Sequence, residues 1–447
     1  ERAAMPERAT WASKAGFVLA SAGAAVGLGA IWKFPWLAGS NGGAVFVIPY
    51  VILSLTLGFV FLTAEITLGY MGRGSIVTTM RKLGGSKWVP AGYLGVVTGL
   101  LVLSFYSVIG GWTIAYLVDA ILGRGLVTSQ AELGARFGAL SGDPLLAVGY
   151  QALFLTLTAG VVALKVSKGI ERLSRILMPA LFILMLILIV RGLTLPGASE
   201  GLSYLFAWKP EAFTWQSLYQ ALGFTFFSLC VGCGCMMTYG SYLPQGSRIL
   251  KSCAQIVGLT TAASILGALM VMPAVFAFHL DPAAGPGLTF VTMPVIFAQL
   301  PFGGLFAVAF FACLTFAALT SSVSMLELDT AFLVDEFHVS RTTGAIISTL
   351  VIMVIGFFCV LSFGPLADTK FLGKNVFDWC DFLTSNISLP IGGLIVALLA
   401  GLVVWPKFRE ALSVPPAPSD QWFRIFRLLL VVACPILVVI VLVTGLL

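Results

Sequence analysis

Apolar residues run along this chain in long blocks, parted by short polar stretches that hold most of its charge. A helix needs roughly 20 apolar residues to cross a bilayer, and blocks of that length recur from end to end. Read this way, the pattern predicts about eleven spans, starting near Ala15, Ala44, Gly92, Leu146, Leu173, Trp215, Ile256, Gly304, Gly344, Phe382 and Ile425. The expected class is therefore an all-α polytopic membrane protein. Segment Ala9 to Lys14 leads straight into a full-length span and carries no cleavable signal pattern.

Composition agrees with that reading. The chain is 59% hydrophobic and only 10% charged, with a mean hydropathy of +1.02. A soluble chain of this length would need more charge to cover its surface. The net charge of +6 is no nucleic-acid signal, because the basic residues fall in short loops between apolar runs. Their distribution instead orients the chain. With a cytoplasmic N-terminus, eighteen Lys and Arg residues lie inside, from Arg2 and Arg8 to Arg424 and Arg427, against seven outside. The inverted topology violates the positive-inside rule. An odd number of spans then leaves Leu447 outside, and a bacterial inner (plasma) membrane is the expected location. The eight cysteines lie mostly within apolar runs and form no secreted disulfide framework. Cys230, Cys233 and Cys235 have metal-like spacing, but neither His279 nor His338 is near them in sequence, so small side chains packed in a helix are expected there.

Two spans contain backbone that should not survive in lipid. The first reads GAAVGLGAIWKFPW and the sixth FFSLCVGCGCMMTYGSYL, each with glycines near mid-span. Unpaired amides and carbonyls cost several kcal/mol each in hydrocarbon, so such breaks persist only against protein or a polar cavity. Glycine-interrupted spans at matching positions of two five-span halves point to a secondary transporter with inverted repeats. Glycines that merely permit close helix packing are the alternative. Residues 1–404 are read as a transporter core, with repeats at roughly 14–192 and 213–404, and residues 405–447 as a loop plus an eleventh helix.

The stretches WASKAGFVLASAGAAVGLGAIWKFPW, NGGAVFVIPY, TYGSYLP, ALTSSVSMLE and FDWCDFLTSN, in this order from Arg8 to about Pro406, resemble the neurotransmitter:sodium symporter family. The likeness is strongest to its bacterial amino-acid branch, which includes the leucine transporter. It implies a 5+5 inverted-repeat fold with broken first and sixth helices, and Na⁺-driven uptake. For the second sodium site of the family, the matching groups are the carbonyls of Gly23, Val26 and Ala317 and the hydroxyls of Thr320 and Ser321. Hydroxyls in an apolar helix also back-bond to carbonyls one turn earlier, which is the plainer reading of Thr320-Ser321-Ser322. The first sodium site keeps the Ala25 carbonyl, Ser228 and Thr260, but has Ala30 in place of an asparagine. The chloride position keeps Tyr50, Ser228 and Ser264, with Phe224 where a glutamine should donate. The resemblance therefore implies one firm Na⁺ site and argues against chloride.

The same likeness places Ala25, Gly27, Leu28, Gly29, Val102, Tyr106, Phe227, Ser228, Cys230, Cys233, Ser321 and Met325 around the substrate. Gly27 removes the aspartate with which monoamine carriers meet an amine, so the substrate should bring its own acid group to the Leu28–Gly29 amides and Tyr106. An uncharged lining disfavours a strongly ionic substrate side chain. Lys33 and Asp381 match an outer ion-pair gate; Arg8 and Asp335, with Tyr242 and Trp11, match an inner one. Glu65 and Glu327, acids inside spans, call for partners, and the sixth-span break is the expected partner of Glu65. The function expected is Na⁺-coupled import of a zwitterionic, mainly apolar amino acid across a lipid bilayer by alternating access. The rivals are a carrier of a β- or γ-amino acid such as taurine or GABA, an ion channel, and a transport-dead sensor. Scarce buried His, Asp and Glu argue against an enzyme.

Overall fold

In the computed structural model, which describes residues 8–285 and 288–447, nearly all the chain is helical. Arg2, one of the charges expected inside, lies outside the described residues. Ten helices among the described residues are long and apolar enough to span a membrane. They are α1 (Lys14–Ser40), α2 (Ala44–Gly72), α3 (Ser86–Ile121), α4 (Pro144–Ala163) and α5 (Ile170–Leu193), then α7 (Ile249–Ala277), α8 (Gly303–Phe337), α9 (Arg341–Leu361), α10 (Val376–Val403) and α11 (Asp420–Leu446). The sixth, α6, falls into two pieces, Trp215–Ser228 and Cys235–Gly240, each too short to span alone. Its interruption is the one the glycine pattern predicts.

The two halves repeat one another. Each begins with a broken helix, and the third element of each is its longest, 36 residues in α3 and 35 in α8. A short helix precedes each long one: Ile76–Gly84 before α3, and Leu288–Ala298 before α8. Burial sorts the spans by role. In α1, 83% of the most apolar stretch is buried, against 22% in α11, so α1 is central and α11 sits at the rim. Leu186, Val190, Val354 and Val443, on α5, α9 and α11, are among the large apolar side chains left exposed. In water that would be costly, whereas facing lipid tails it is not.

α1 starts on a firm cap. Ser13 accepts from the Gly16 amide at 3.0 Å, and Glu171 of α5 accepts from the Ala12 and Ser13 amides at 2.9 and 3.1 Å. A Cβ on Gly16 would lie 1.8 Å from a Glu171 oxygen, so any larger residue there would push the carboxylate off this cap.

Candidate functional site

The break in α1 centres on Gly27, whose φ of +38° and ψ of −157° no other residue adopts comfortably. A Cβ at this position would also stand 2.3 Å from the Ser321 hydroxyl and 3.1 Å from that of Tyr106. Lack of a side chain therefore lets α3 and α8 close on the break. The Leu28 amide, freed by it, donates to the Tyr106 hydroxyl at 3.1 Å. Across the same gap, Ser321 donates to the Ala24 carbonyl at 2.5 Å.

In α6 the chain leaves the helix after Ser228 and re-enters at Cys235, with Cys230, Gly232 and Gly234 at φ +55°, +107° and +103°. Glu65, wholly buried on α2, accepts from the Gly232 amide at 3.0 Å, the partner expected of it. The cysteines depart from expectation. Instead of packing within a continuous helix, Cys230 and Cys233 lie on the irregular segment, with Cys235 at the start of the second piece. The glycines on either side deny the helix its continuity.

Between the two breaks lies a cavity of about 40 Å³. A water occupies roughly 10–15 Å³ on such a measure, so the walls enclose room for about three waters, less than a bulky amino acid fills. Ala25, Gly27, Leu28, Gly29, Val102, Tyr106, Phe227, Cys230, Cys233, Ser321 and Met325 line it, joined by Ala24, Val231 and Leu389. Of the residues placed around the substrate from sequence, Ser228 alone is not brought to the cavity. Its hydroxyl donates to the Thr225 carbonyl at 3.1 Å and receives Tyr50 at 3.4 Å. No charged side chain lines the cavity.

The ion ligands divide. Thr320 donates to the carbonyls of Ala317, at 3.0 Å, and Phe316, at 3.1 Å, the local back-bonding expected of an isolated hydroxyl. Ser321 does not, because it crosses to α1. Gly23 comes so close to α8 that a Cβ would lie 3.0 Å from the Cβ of Thr320, and Val26 offers its carbonyl to the Gly29 amide at the break. The second set is dispersed by comparison. Thr260 is fully buried, and its hydroxyl donates to the Ile256 carbonyl at 2.8 Å. The Ala30 carbonyl is pressed against α7, where a Cβ on Gly267 would stand 2.5 Å away. Tyr50 meets the Ser264 hydroxyl at 3.0 Å, and Phe224 packs beside Tyr50 with ring centroids 5.2 Å apart.

The two ends differ. Arg8 pairs with Asp335 at 2.9 Å, donates to the Ser241 hydroxyl at 2.9 Å and stacks on Tyr242, 4.7 Å from its centroid. Burial disfavours its charge, but Tyr242 and Asp335 more than compensate and hold its pKa above the usual arginine value. Trp11 seals the same end, its indole donating to the Tyr239 carbonyl at 2.9 Å. At the other end the expected Lys33–Asp381 contact is not made. Lys33 lies over the Phe227 ring, 4.1 Å from its centroid, while Asp381 accepts from the Ser385 hydroxyl at 2.9 Å. A lysine lacks the planar fork that would lock a carboxylate in place, and an aromatic face competes for its ammonium. Above it opens a second cavity of about 270 Å³, lined in part by Lys33, Gln216, Gln220 and Asn386.

Three buried acids went unassigned from sequence, in whole or in part. Glu327 is held by Arg341 and by the Tyr242 hydroxyl, the latter at 2.5 Å. Glu171 anchors the start of α1. Asp329, two residues beyond Glu327 and fully buried, makes no hydrogen bond through either oxygen. The signal that singled out Glu327, an acid inside an apolar span, applies equally to Asp329.

A model of the sodium:neurotransmitter symporter family matches residues 8–125 and 148–447. The chain belongs to that family. This symporter is 40% identical over 429 residues to YhdH, a sodium-dependent transporter of Bacillus subtilis (strain 168), covering 95% of each chain. It is 31% identical over 420 residues to a sodium-dependent transporter of Haemophilus influenzae, covering 91% of this chain and 92% of that one. The structure of MhsT in complex with L-phenylalanine superposes with a TM-score of 0.90 at 39% identity, covering 98% of this chain and 100% of MhsT. The symporter is thus a sodium-dependent membrane transporter and not an enzyme, with the inverted-repeat fold that its element order displays. The stretch the family model leaves unmatched carries the helix Gln130–Gly142, between α3 and α4.

Proposed function

We propose that the symporter imports a zwitterionic, mainly apolar amino acid with Na⁺, across a bacterial inner membrane, by alternating access. One observation carries this reading. The central cavity has no charged wall, yet at the α1 break it presents the Leu28 amide and the Tyr106 hydroxyl side by side. The hydroxyl oxygen accepts from that amide, which leaves its proton to donate. A substrate carboxylate takes both donors, and the ammonium takes carbonyls near Ala25, Phe227 and Ser228. The side chain then lies among Val102, Phe227, Cys230, Cys233 and Met325, and Met325 and Phe227 must turn to admit it. Met325, an unbranched thioether, adapts readily. Likeness to MhsT, whose structure holds L-phenylalanine, supports an apolar side chain.

Na⁺ sits between α1 and α8, on the carbonyls of Gly23, Val26 and Ala317 and the hydroxyls of Thr320 and Ser321. With Arg8–Asp335 closed and Lys33 free of Asp381, the conformation is that of a carrier sealed toward the cytoplasm. The N-terminus is cytoplasmic and the C-terminus outside.

The decisive experiment is thermal stabilisation of the purified protein by L-phenylalanine and other apolar amino acids, in Na⁺ and in choline. Stabilisation in Na⁺ alone, matched by uptake into proteoliposomes, supports the reading. Stabilisation by GABA or taurine and not by L-phenylalanine overturns the substrate class. Stabilisation without uptake makes the protein a sensor, and Na⁺ current without solute a channel.

Tyr106→Phe removes one hydroxyl from a charged partner, a loss of about 1.5–3 kcal/mol, or roughly tenfold or more in affinity. Expected is weaker amino-acid binding with Na⁺ binding little changed; equal affinity in a titration of the two proteins rules out the role.

A single Na⁺ accompanies each substrate, and chloride is not needed. Thr260 spends its hydroxyl on its own helix, Ala30 offers no side-chain oxygen, and Phe224 cannot donate to an anion. Too few fixed oxygens remain at the first site to strip a second ion of its water. Uptake is expected to persist when gluconate replaces chloride, and flux ratios at clamped potential to give one Na⁺ per substrate. A ratio of two, or loss of uptake in gluconate, contradicts the respective half.

A further inference from the structure

The sixth-span break gathers three thiols. The sulfurs of Cys230, Cys233 and Cys235 lie within 4.8 Å of one another, and those of Cys233 and Cys235 are 3.2 Å apart. Cys233 and Cys235 are buried, while Cys230 and Cys233 also face the central cavity. We propose that these three sulfurs form a binding site for a soft d¹⁰ metal cation, one that staples the α6 break and closes the cavity to substrate.

Geometry and chemistry both point there. Around a tetrahedral Zn²⁺ with Zn–S near 2.3 Å, sulfurs stand about 3.8 Å apart, within the span observed. The order is Cys-x-x-Cys-Gly, with the glycine left-handed at φ +103°. That turn folds two sulfurs to one side, as the short ligand spacings of thiolate sites require. Cys230 itself holds φ +55°, where a glycine would be free of strain. Packing alone gives no reason to keep a side chain in a conformation that costs on the order of 1–3 kcal/mol.

Three sulfurs leave a fourth position open toward the cavity, through which the ion enters. Thiols favour soft ions over Na⁺, Mg²⁺ or Ca²⁺, so the site does not compete for the coupling ion. For a divalent ion, three S–H protons leave to cavity water as three metal–thiolate bonds form. No electron changes hands, and the complex carries one net negative charge. Oε2 of Glu65 and both oxygens of Asp329, buried without hydrogen bonds, belong to acids within electrostatic reach of Cys233. They offer further acceptors for ion or proton.

The ion ties Cys230, early in the irregular segment, to Cys235 at the start of the following helix. A joint that must flex during transport is thereby fixed. The ion also rests where the proposed substrate side chain would lie; that consequence depends on the functional reading, but metal binding does not.

The test is a CdCl₂ titration of the full chain carrying Cys359→Ala, which removes the other close thiol pair, whose sulfurs are 3.8 Å apart. A saturable thiolate-to-metal charge-transfer absorption at one Cd²⁺ per chain is expected. Cys233→Ser and Cys235→Ser should each weaken binding by about a hundredfold or more, whereas Cys253→Ala should leave it unchanged. No saturable absorption, or absorption that survives the Cys233→Ser/Cys235→Ser double variant, means that the thiols only pack. The unmutated protein supplies a second readout that needs no substitution. A ¹¹³Cd resonance in the sulfur-ligand region supports the site, and one confined to the oxygen-ligand region overturns it. Since the titration uses no amino acid, its failure leaves the transport reading intact. An absence of Na⁺-dependent amino-acid binding, in turn, leaves the metal site standing.

Discussion

Thr320→Ala combined with Ser321→Ala abolishes Na⁺-driven uptake while the protein still folds. Ser321 is the group that crosses from α8 to α1, donating to the Ala24 carbonyl, and Thr320 stands where α1 approaches most closely at Gly23. Na⁺ loses two hydroxyl oxygens from a shell of five. At about 1.5–3 kcal/mol for each interaction with a charge, the loss is about 3–6 kcal/mol, or two to four powers of ten in Na⁺ affinity. Neither substitution opens a large cavity, and Thr320 gives up only back-bonds to its own helix. Loss of the Ser321 bond to the Ala24 carbonyl costs about 1–3 kcal/mol, so the protein should fold with a modest loss of stability. The measurement is uptake against Na⁺ concentration, with thermal unfolding as the control. An unchanged Na⁺ dependence in a folded double variant refutes the site.

Glu327→Leu should cost more stability than any other single change considered. Glu327 is fully buried and held by Arg341 and the Tyr242 hydroxyl, while Arg341 retains about a quarter of its side-chain exposure. Removing one partner of a buried pair leaves the other charge uncompensated, typically 3–5 kcal/mol. Some water reaches Arg341, which puts the expected loss at about 3 kcal/mol, at the lower end of that range. The melting temperature in detergent should fall accordingly. Adding Arg341→Met removes the uncompensated charge, at the cost of its bonds to the Val162 and Leu164 carbonyls, and should recover part of the loss. A Glu327→Leu protein as stable as its parent contradicts the account, as does a double variant worse than the single one.

Much of this architecture was written in apolar periodicity. Span starts read from block lengths fall within about three residues of the helix starts at seven spans, since hydrocarbon thickness sets helix length. They fall five to seven residues late at α3, α7, α10 and α11, where polar residues in the first turns precede the apolar block. The breaks were legible because glycine pairs are conspicuous in helices that lipid forces to be continuous. What periodicity cannot give is which side chains from distant spans meet. Glu171 binds the start of α1 across more than 150 residues of chain, and nothing local to either segment marks the pair. Lys33 illustrates a different limit. Its sequence position suits a carboxylate and an aromatic ring equally, and the conformation decides which it meets. The cysteines were read as packed in a helix, whereas the glycine break legible in the same segment takes Cys230 and Cys233 off it.

Phe227 touches two compartments at once. It lines the central cavity, and its ring also carries the Lys33 ammonium. In the proposed cycle, any side chain that pushes the ring also moves the cation that must reach Asp381 for the outer gate to shut. Cargo size then becomes a matter of timing as well as fit. A small amino acid leaves the ring at rest and the lysine parked, whereas a bulky one turns the ring and releases the lysine toward its carboxylate. Affinity and turnover would follow different ladders along a homologous series, with the tightest ligand not the fastest passenger.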